Sequence, residues 1–146
     1  MKNCQNVATL LLRLSLSFGF LSAVASRLGL LGAKSSGWSS FLDYTEQVNS
    51  FLPKSVIPPV AVTSTVLETS IAIMLLAGLK TSYAALGASL LTLLFAIAMS
   101  YSFGVKEALD YSVFAFSAGG FLLATMPYYK WSIDQLLSTK QSKATI

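Results

Sequence analysis

Two ionisable side chains stand deep inside apolar sequence, and they are the residues best placed to do chemistry. Glu68 sits near the middle of residues 60–79, VAVTSTVLETSIAIMLLAGL. A carboxylate in such surroundings needs a partner and should face protein or water. Ser64 and Thr65 lie one turn before it and Ala72 one turn after, which makes that helical face small and polar. Val66, Ile73, Leu75 and Leu76 fall on the opposite face. Arg13 shares a face with Asn6, Thr9 and Ser17, at spacings of three and four, while Leu11, Leu14 and Phe18 point elsewhere. If both helices start from the same membrane surface, Arg13 and Glu68 differ in depth by about one turn, at a rise of 1.5 Å per residue. An arginine side chain bridges that gap. An Arg13–Glu68 pair is therefore expected, with a fork of donors meeting a carboxylate. Such a pair either floors a site for a small polar or quinone-like molecule, or only holds two helices in register.

A second, shallower set lies toward the opposite surface. Arg27 and Asp110 stand near segment ends and can pair, with the hydroxyls of Tyr101 and Tyr111 at the same level as outer-mouth residues. Helix capping for Asp110 and aromatic anchoring for the tyrosines are the plainer readings. Cys4 is the only cysteine, so no internal disulfide and no CxxC relay can form within this chain. A bystander thiol, palmitoylation and a mixed disulfide are the readings open to it. There is no histidine, which removes the commonest metal ligand and the commonest general base at neutral pH. No metal site and no catalytic residue are expected.

The elements that must position these groups follow from composition. The 146 residues are 54% hydrophobic and only 11% charged, a membrane protein's balance. Four runs, at about 7–26, 60–79, 83–103 and 108–126, are each near the length that crosses a bilayer as a helix. The fold class is all-α: a four-transmembrane-helix antiparallel bundle, with residues 1–131 as one membrane domain. Lys2 before an apolar run and Ala23-Val24-Ala25 after it also fit a signal peptide, but Arg13 inside the run and three further spans argue against one. Between the first two spans, Phe41, Tyr44, Val48 and Phe51 recur at helical spacing. They predict an amphipathic interfacial helix over about 40–52, started by a Ser40–Asp43 capping box and ended by Pro53. This helix is either a strut or a lid over a pocket mouth. Thr81 or Ser82 can cap the third span. Ala84, Ala88, Thr92, Ala96 and Ser100 recur every fourth residue along it, a stripe that lets a neighbouring helix approach closely. Residues 127–131 (PYYKW) read as an aromatic and basic exit, and 132–146 as a frayed polar tail. An even number of spans puts both termini on one side, with Lys2, Lys80, Lys130, Lys140 and Lys143. That small excess predicts cytoplasmic termini. The net charge of +4 is scattered near segment ends, which suits anionic lipid and not nucleic acid.

In this order the segments resemble the DoxX-like family of small four-helix membrane proteins. The matching pieces are Leu12-Arg13-Leu14, Gly19-Phe20-Leu21-Ser22-Ala23-Val24, Arg27-Leu28-Gly29, Trp38 and the Phe41/Tyr44 helix. Thr65-Val66-Leu67-Glu68, Leu75-Leu76-Ala77-Gly78, 95–99 (FAIAM) and 109–114 (LDYSVF) complete them. The likeness covers nearly all of the chain except the tail. It implies a multi-pass protein of the bacterial inner membrane, linked to quinone, sulfur-compound or oxidative-stress redox systems. Such proteins assist a complex more often than they catalyse alone. A quinone is the cofactor that the resemblance implies. Relatives that perform thiol chemistry need a cysteine pair, which this chain lacks.

The leading expectation is a non-catalytic subunit or accessory factor of a membrane redox system, with Arg13 holding a quinone head group or a small sulfur oxyanion and Glu68 orienting it. Its partners would be the lipid bilayer and other membrane redox proteins, or a second copy of itself. A ligand-free scaffold or assembly factor is the alternative, and a small transporter a more remote one.

Overall fold

The computed structural model describes residues 2–137, and these are all-helical, with no strand. Six helices follow in chain order: α1 (Lys2–Arg27), α2 (Trp38–Val48), α3 (Ile57–Ala77), α4 (Thr81–Phe103), α5 (Val105–Asp110) and α6 (Val113–Ala124). Short 3-10 turns at Gly32–Lys34 and Lys54–Val56 lie between them. Pro58 and Pro59 sit in the first turn of α3, where a missing N–H costs little. Gly78 stops α3 in the left-handed conformation at φ 68°. Among the described residues, three segments containing α1, α3 and α4 are long and apolar enough to cross a membrane.

The fourth run does not form the single helix expected at 108–126. It breaks into α5 and the 12-residue α6, with Ser112 left-handed at φ 55°. The Ser112 N–H donates to Leu109 O at 2.9 Å, which closes α5 before α6 begins. Polar Asp110-Tyr111-Ser112 interrupts the apolar run where this break falls.

Helix α1 packs against α3 and α6, and α4 packs against the same two. The small-residue stripe of α4 faces α6: Ala84, Ala88, Thr92 and Ala96 are all buried. Ser117 Oγ donates to Ser89 O at 2.9 Å across this contact. A Cβ at Gly120 would stand 3.0 Å from Ser89 N and 3.1 Å from Ala85 O, so the two backbones nearly touch. Leu16, Phe20, Ile71, Ala72, Leu75 and Leu123 fill the centre. Thr9, Arg13 and Ser17 are buried, so the polar stripe of α1 does face inward. On α3, Val66, Ile73 and Leu76 are exposed, but Leu75 is fully buried in the core and not on the outer face expected for it.

Helix α2 begins at Trp38, earlier than 40, and the Ser40–Asp43 capping box does not form. Its N-cap is Gly37 at φ 82°, with no side-chain cap. Gly37 N–H donates to Ser26 O at 3.2 Å, tying the start of α2 to the end of α1. From there α2 lies across α3 and α4. Its Val48 is fully buried and packs with Met99, Ala108 and Val113.

Residues 132–137 are not frayed. Asp134 N–H donates to Gly78 O at 3.0 Å. Its carboxylate accepts from Lys80 N–H, Thr81 N–H and Thr81 Oγ1, each at 2.7 Å. The cap of α4 is thus supplied from outside the helix and not by Thr81 or Ser82. A carboxylate there satisfies orphan N–H groups and meets the positive end of the helix dipole. Ser82 instead donates to Ala124 O at 2.8 Å. The rest of the expected tail, 138–146, lies outside the described residues.

Candidate functional site

Arg13 does not meet Glu68. Its Nη2 donates to Trp131 O at 2.8 Å, and a Cβ on Gly78 would stand 2.9 Å from its Nη1. Arg13 is therefore level with the end of α3. Glu68 lies ten residues before Gly78, which is about 15 Å along a helix and beyond an arginine's reach. The equal-depth assumption fails because the two helices do not end at one level: the first three turns of α1, about the length from Lys2 to Arg13, lie beyond the end of α3. The first turns of α1 instead pass beside the chain that leaves α6, where Gln5 Nε2 donates to Met126 Sδ at 3.7 Å.

Glu68 is held by Arg27, the last residue of α1. Arg27 Nη2 lies 2.8 Å from Glu68 Oε2. No N–H is aimed along that line, so the contact is Coulombic more than a directed hydrogen bond. Arg27 Nη1 donates to Thr65 Oγ1 at 3.1 Å, and Thr65 Oγ1 donates onward to Ala61 O at 2.8 Å. The guanidinium carbon stands 3.9 Å from the centroid of the Phe41 ring, a cation–π contact. Arg27 is only 7% exposed. Thr65 and Glu68, three apart on α3, share one face and take the two ends of one guanidinium.

The Arg27–Asp110 pair expected at the outer mouth does not form. Asp110 pairs with Lys106 one turn earlier on α5, and both are exposed. Arg27 is turned away from it, toward α3. Tyr101 is 72% exposed and packs edge-on against Phe51, with centroids 5.4 Å apart. It does not line the site. Tyr111 does.

A cavity of about 670 Å³ opens beside the ion pair. Gly19 and Ala23 of α1, Val60 and Ser64 of α3, and Leu91, Leu94 and Phe95 of α4 form its sides. Phe41, Tyr44 and Thr45 of α2 roof it, and Tyr111 and Phe116 close the flank where the fourth run is broken. Phe116 meets Phe20 edge-on at 5.3 Å. The volume falls within the range of small-molecule sites, and so does the make-up of an apolar wall with a few fixed polar groups. Burial pushes the Tyr44 hydroxyl above the ordinary tyrosine range, and Tyr111 and Glu107 add to the shift, so it stays protonated at neutral pH.

Arg27 and Glu68 neutralise one another, so the wall carries a dipole and no net charge. No cysteine or histidine lines the cavity. No cluster of His, Cys, Asp or Glu suited to a metal exists among the described residues. These walls are equipped to bind and orient. Sequence reasoning missed Arg27 as the partner of Glu68, and it left α2 open between a strut and a lid; residues of α2 line the cavity. The signal available was Arg27 as the terminal charge of an apolar helix, with a run of aromatics following it. Comparisons with protein-family models, with curated proteins and with solved structures found no match.

Proposed function

We propose that this chain is a DoxX-like integral protein of the bacterial inner membrane. It acts as a non-catalytic subunit or accessory factor of a membrane redox system and holds a quinone-class molecule in the cavity beside Arg27 and Glu68. The observation that carries this reading is a charge-compensated ion pair in the wall of an apolar cavity of about 670 Å³. A small sulfur oxyanion suits the cavity poorly, because Glu68 already meets Arg27 and would repel it. A neutral ring with an apolar tail suits both the walls and the dipole.

Four crossings account for the exposed apolar surface on α1, α3, α4 and α6. Residues 105–124, α5 and α6 together, make the fourth. A break inside a membrane is tolerated where it lines a cavity, and Tyr111 does so. With Arg27 buried in the site, one side keeps Lys34, Lys54 and Lys106, against the five lysines that the sequence assigns to the side of the termini. That balance supports cytoplasmic termini.

The test is a titration of the purified protein with ubiquinone and menaquinone analogues. Saturable binding, lost in the paired variant Arg27→Leu with Glu68→Leu, is the expected result. Binding that survives the pair's removal would sink the site. The second reading is a scaffold without ligand, favoured by the fact that the ion pair also fastens α1 to α3. It predicts no binding by any analogue and full assembly activity in the paired variant.

A further inference from the structure

We infer that the cavity selects a ligand that donates hydrogen bonds: a neutral amphiphile with an aromatic hydroxyl, of the hydroquinone class, in preference to its carbonyl form. This deepens the quinone-class reading above and rests on it.

The reason is where the hydroxyl protons of the lining already go. Each Ser or Thr hydroxyl has one proton to give. Thr45 Oγ1 donates to Phe41 O at 2.7 Å. Ser64 Oγ donates to Ala61 O at 3.0 Å, and Thr92 Oγ1 to Ala88 O at 2.8 Å. All three therefore turn only lone pairs toward the cavity they line. Asn49 gives one amide proton to Thr45 O at 2.9 Å and keeps the other together with its carbonyl, and Ser26 and Ser36 use one hydroxyl proton between them at 3.2 Å. Glu68 can only accept. Its Oε2 meets Arg27 Nη2 at 2.8 Å without a directed hydrogen bond, and no hydrogen bond to Oε1 forms among the described residues. One guanidinium N–H goes to Thr65 and Nη2 lies against Glu68.

The inner wall thus holds one anionic acceptor, Glu68 Oε1, and the lone pairs of three hydroxyls whose protons are already donated. The hydroxyls of Tyr44 and Tyr111 rotate and serve as either, and both residues stand at the exposed rim. A quinone brings two more acceptors to this wall, and an acceptor buried without a donor is penalised. A hydroquinone donates to Glu68 Oε1, a charge-assisted bond stronger than a neutral one. A cationic amine also donates, but the Arg27 charge already occupies the field of Glu68.

The experiment is anaerobic calorimetric titration of the full chain in lipid nanodiscs with three compounds of one ring: tetramethylhydroquinone, its dimethyl ether and tetramethylquinone. The hydroquinone is expected to bind at least tenfold tighter than either donor-free compound. Equal binding, or tighter binding of the quinone or the ether, overturns the inference and leaves the quinone-class reading standing. Binding of none of the three overturns both. Glu68→Gln is expected to erase most of the preference of the hydroquinone over the ether. Ser64→Ala, which leaves the ion pair alone, gives a smaller loss in the same direction. The comparison of ligands on the unaltered protein decides even where Glu68→Gln fails to fold.

Discussion

Arg27, the last residue of α1, reaches Glu68 in the middle of α3 with Nη2 2.8 Å from Oε2. The contact crosses between two helices and forms one wall of the cavity. It fastens two helices and lines the candidate site, and the two roles separate experimentally.

For the fastening, single and paired variants should differ in kind. Removing one partner leaves a buried charge alone, which costs about 3–5 kcal/mol. Arg27→Leu and Glu68→Leu should each lower the unfolding midpoint sharply in detergent. Together they should recover most of that loss, because the paired variant buries no charge. A double variant as unstable as the sum of the singles would mean that the hydrogen bond to Thr65 and the Phe41 contact dominate.

For the site, ring contacts on either side of the cavity wall make a matched comparison. Phe41→Leu removes the aromatic face 3.9 Å from the Arg27 guanidinium and part of the roof, a contact worth about 0.5–2 kcal/mol. Ligand affinity should fall by several-fold. Tyr101→Leu removes a ring that lies outside the cavity, so titration should return the unaltered affinity.

At the other end of the molecule, Gly78 admits no side chain. Its φ is +68°, and a Cβ would stand 2.5 Å from Ser132 Cβ and 2.8 Å from Ser132 Cα. Gly78→Ala should displace the returning segment 132–137 and expose it to limited proteolysis. Gly29→Ala is the control: its φ is +77° but nothing lies within 4 Å. It should cost only the left-handed penalty of about 1–2 kcal/mol and leave the proteolytic pattern unchanged.

The cap on α4 gives a further check. Asp134→Ala removes three hydrogen bonds to Lys80 and Thr81. Loss of a cap costs about 0.5–2 kcal/mol. Hydrogen exchange at the first turn of α4 should accelerate, with the middle of the helix unaffected.

Close packing of α4 on α6 rests on Gly120. Its absent Cβ is what allows approach to Ser89 N and Ala85 O. Gly120→Val must push two backbones apart, and overpacking costs about 1–3 kcal/mol or more. Ser117→Ala, which forfeits only the bond to Ser89 O, should cost about 1 kcal/mol. Thermal unfolding of the two variants tests the order.

Much of this arrangement was legible in the linear pattern. Apolar length and spacing predict long helices where α1, α3 and α4 lie, and Gly78 marks the end of α3. Periodicity also states which way a helix turns its faces. Thr9, Arg13 and Ser17 are buried on α1, Thr65 and Ala72 on α3, and the four-residue stripe on α4. What periodicity does not carry is the sliding of one helix along another. That offset comes from how far α1 runs beyond the end of α3, from the backbone approach at Gly78 and from Trp131 returning over Arg13. It moves Arg13 about 15 Å from Glu68, by the rise of ten helical residues, and gives that carboxylate to Arg27. The same reason hides the Asp134 cap and leaves α2 readable as strut or lid alike, because each joins residues far apart in the chain whose meeting depends on axial position. The chain alone states that Glu68 needs a cation; only the packed helices decide that Arg27 supplies it and that space remains beside the pair.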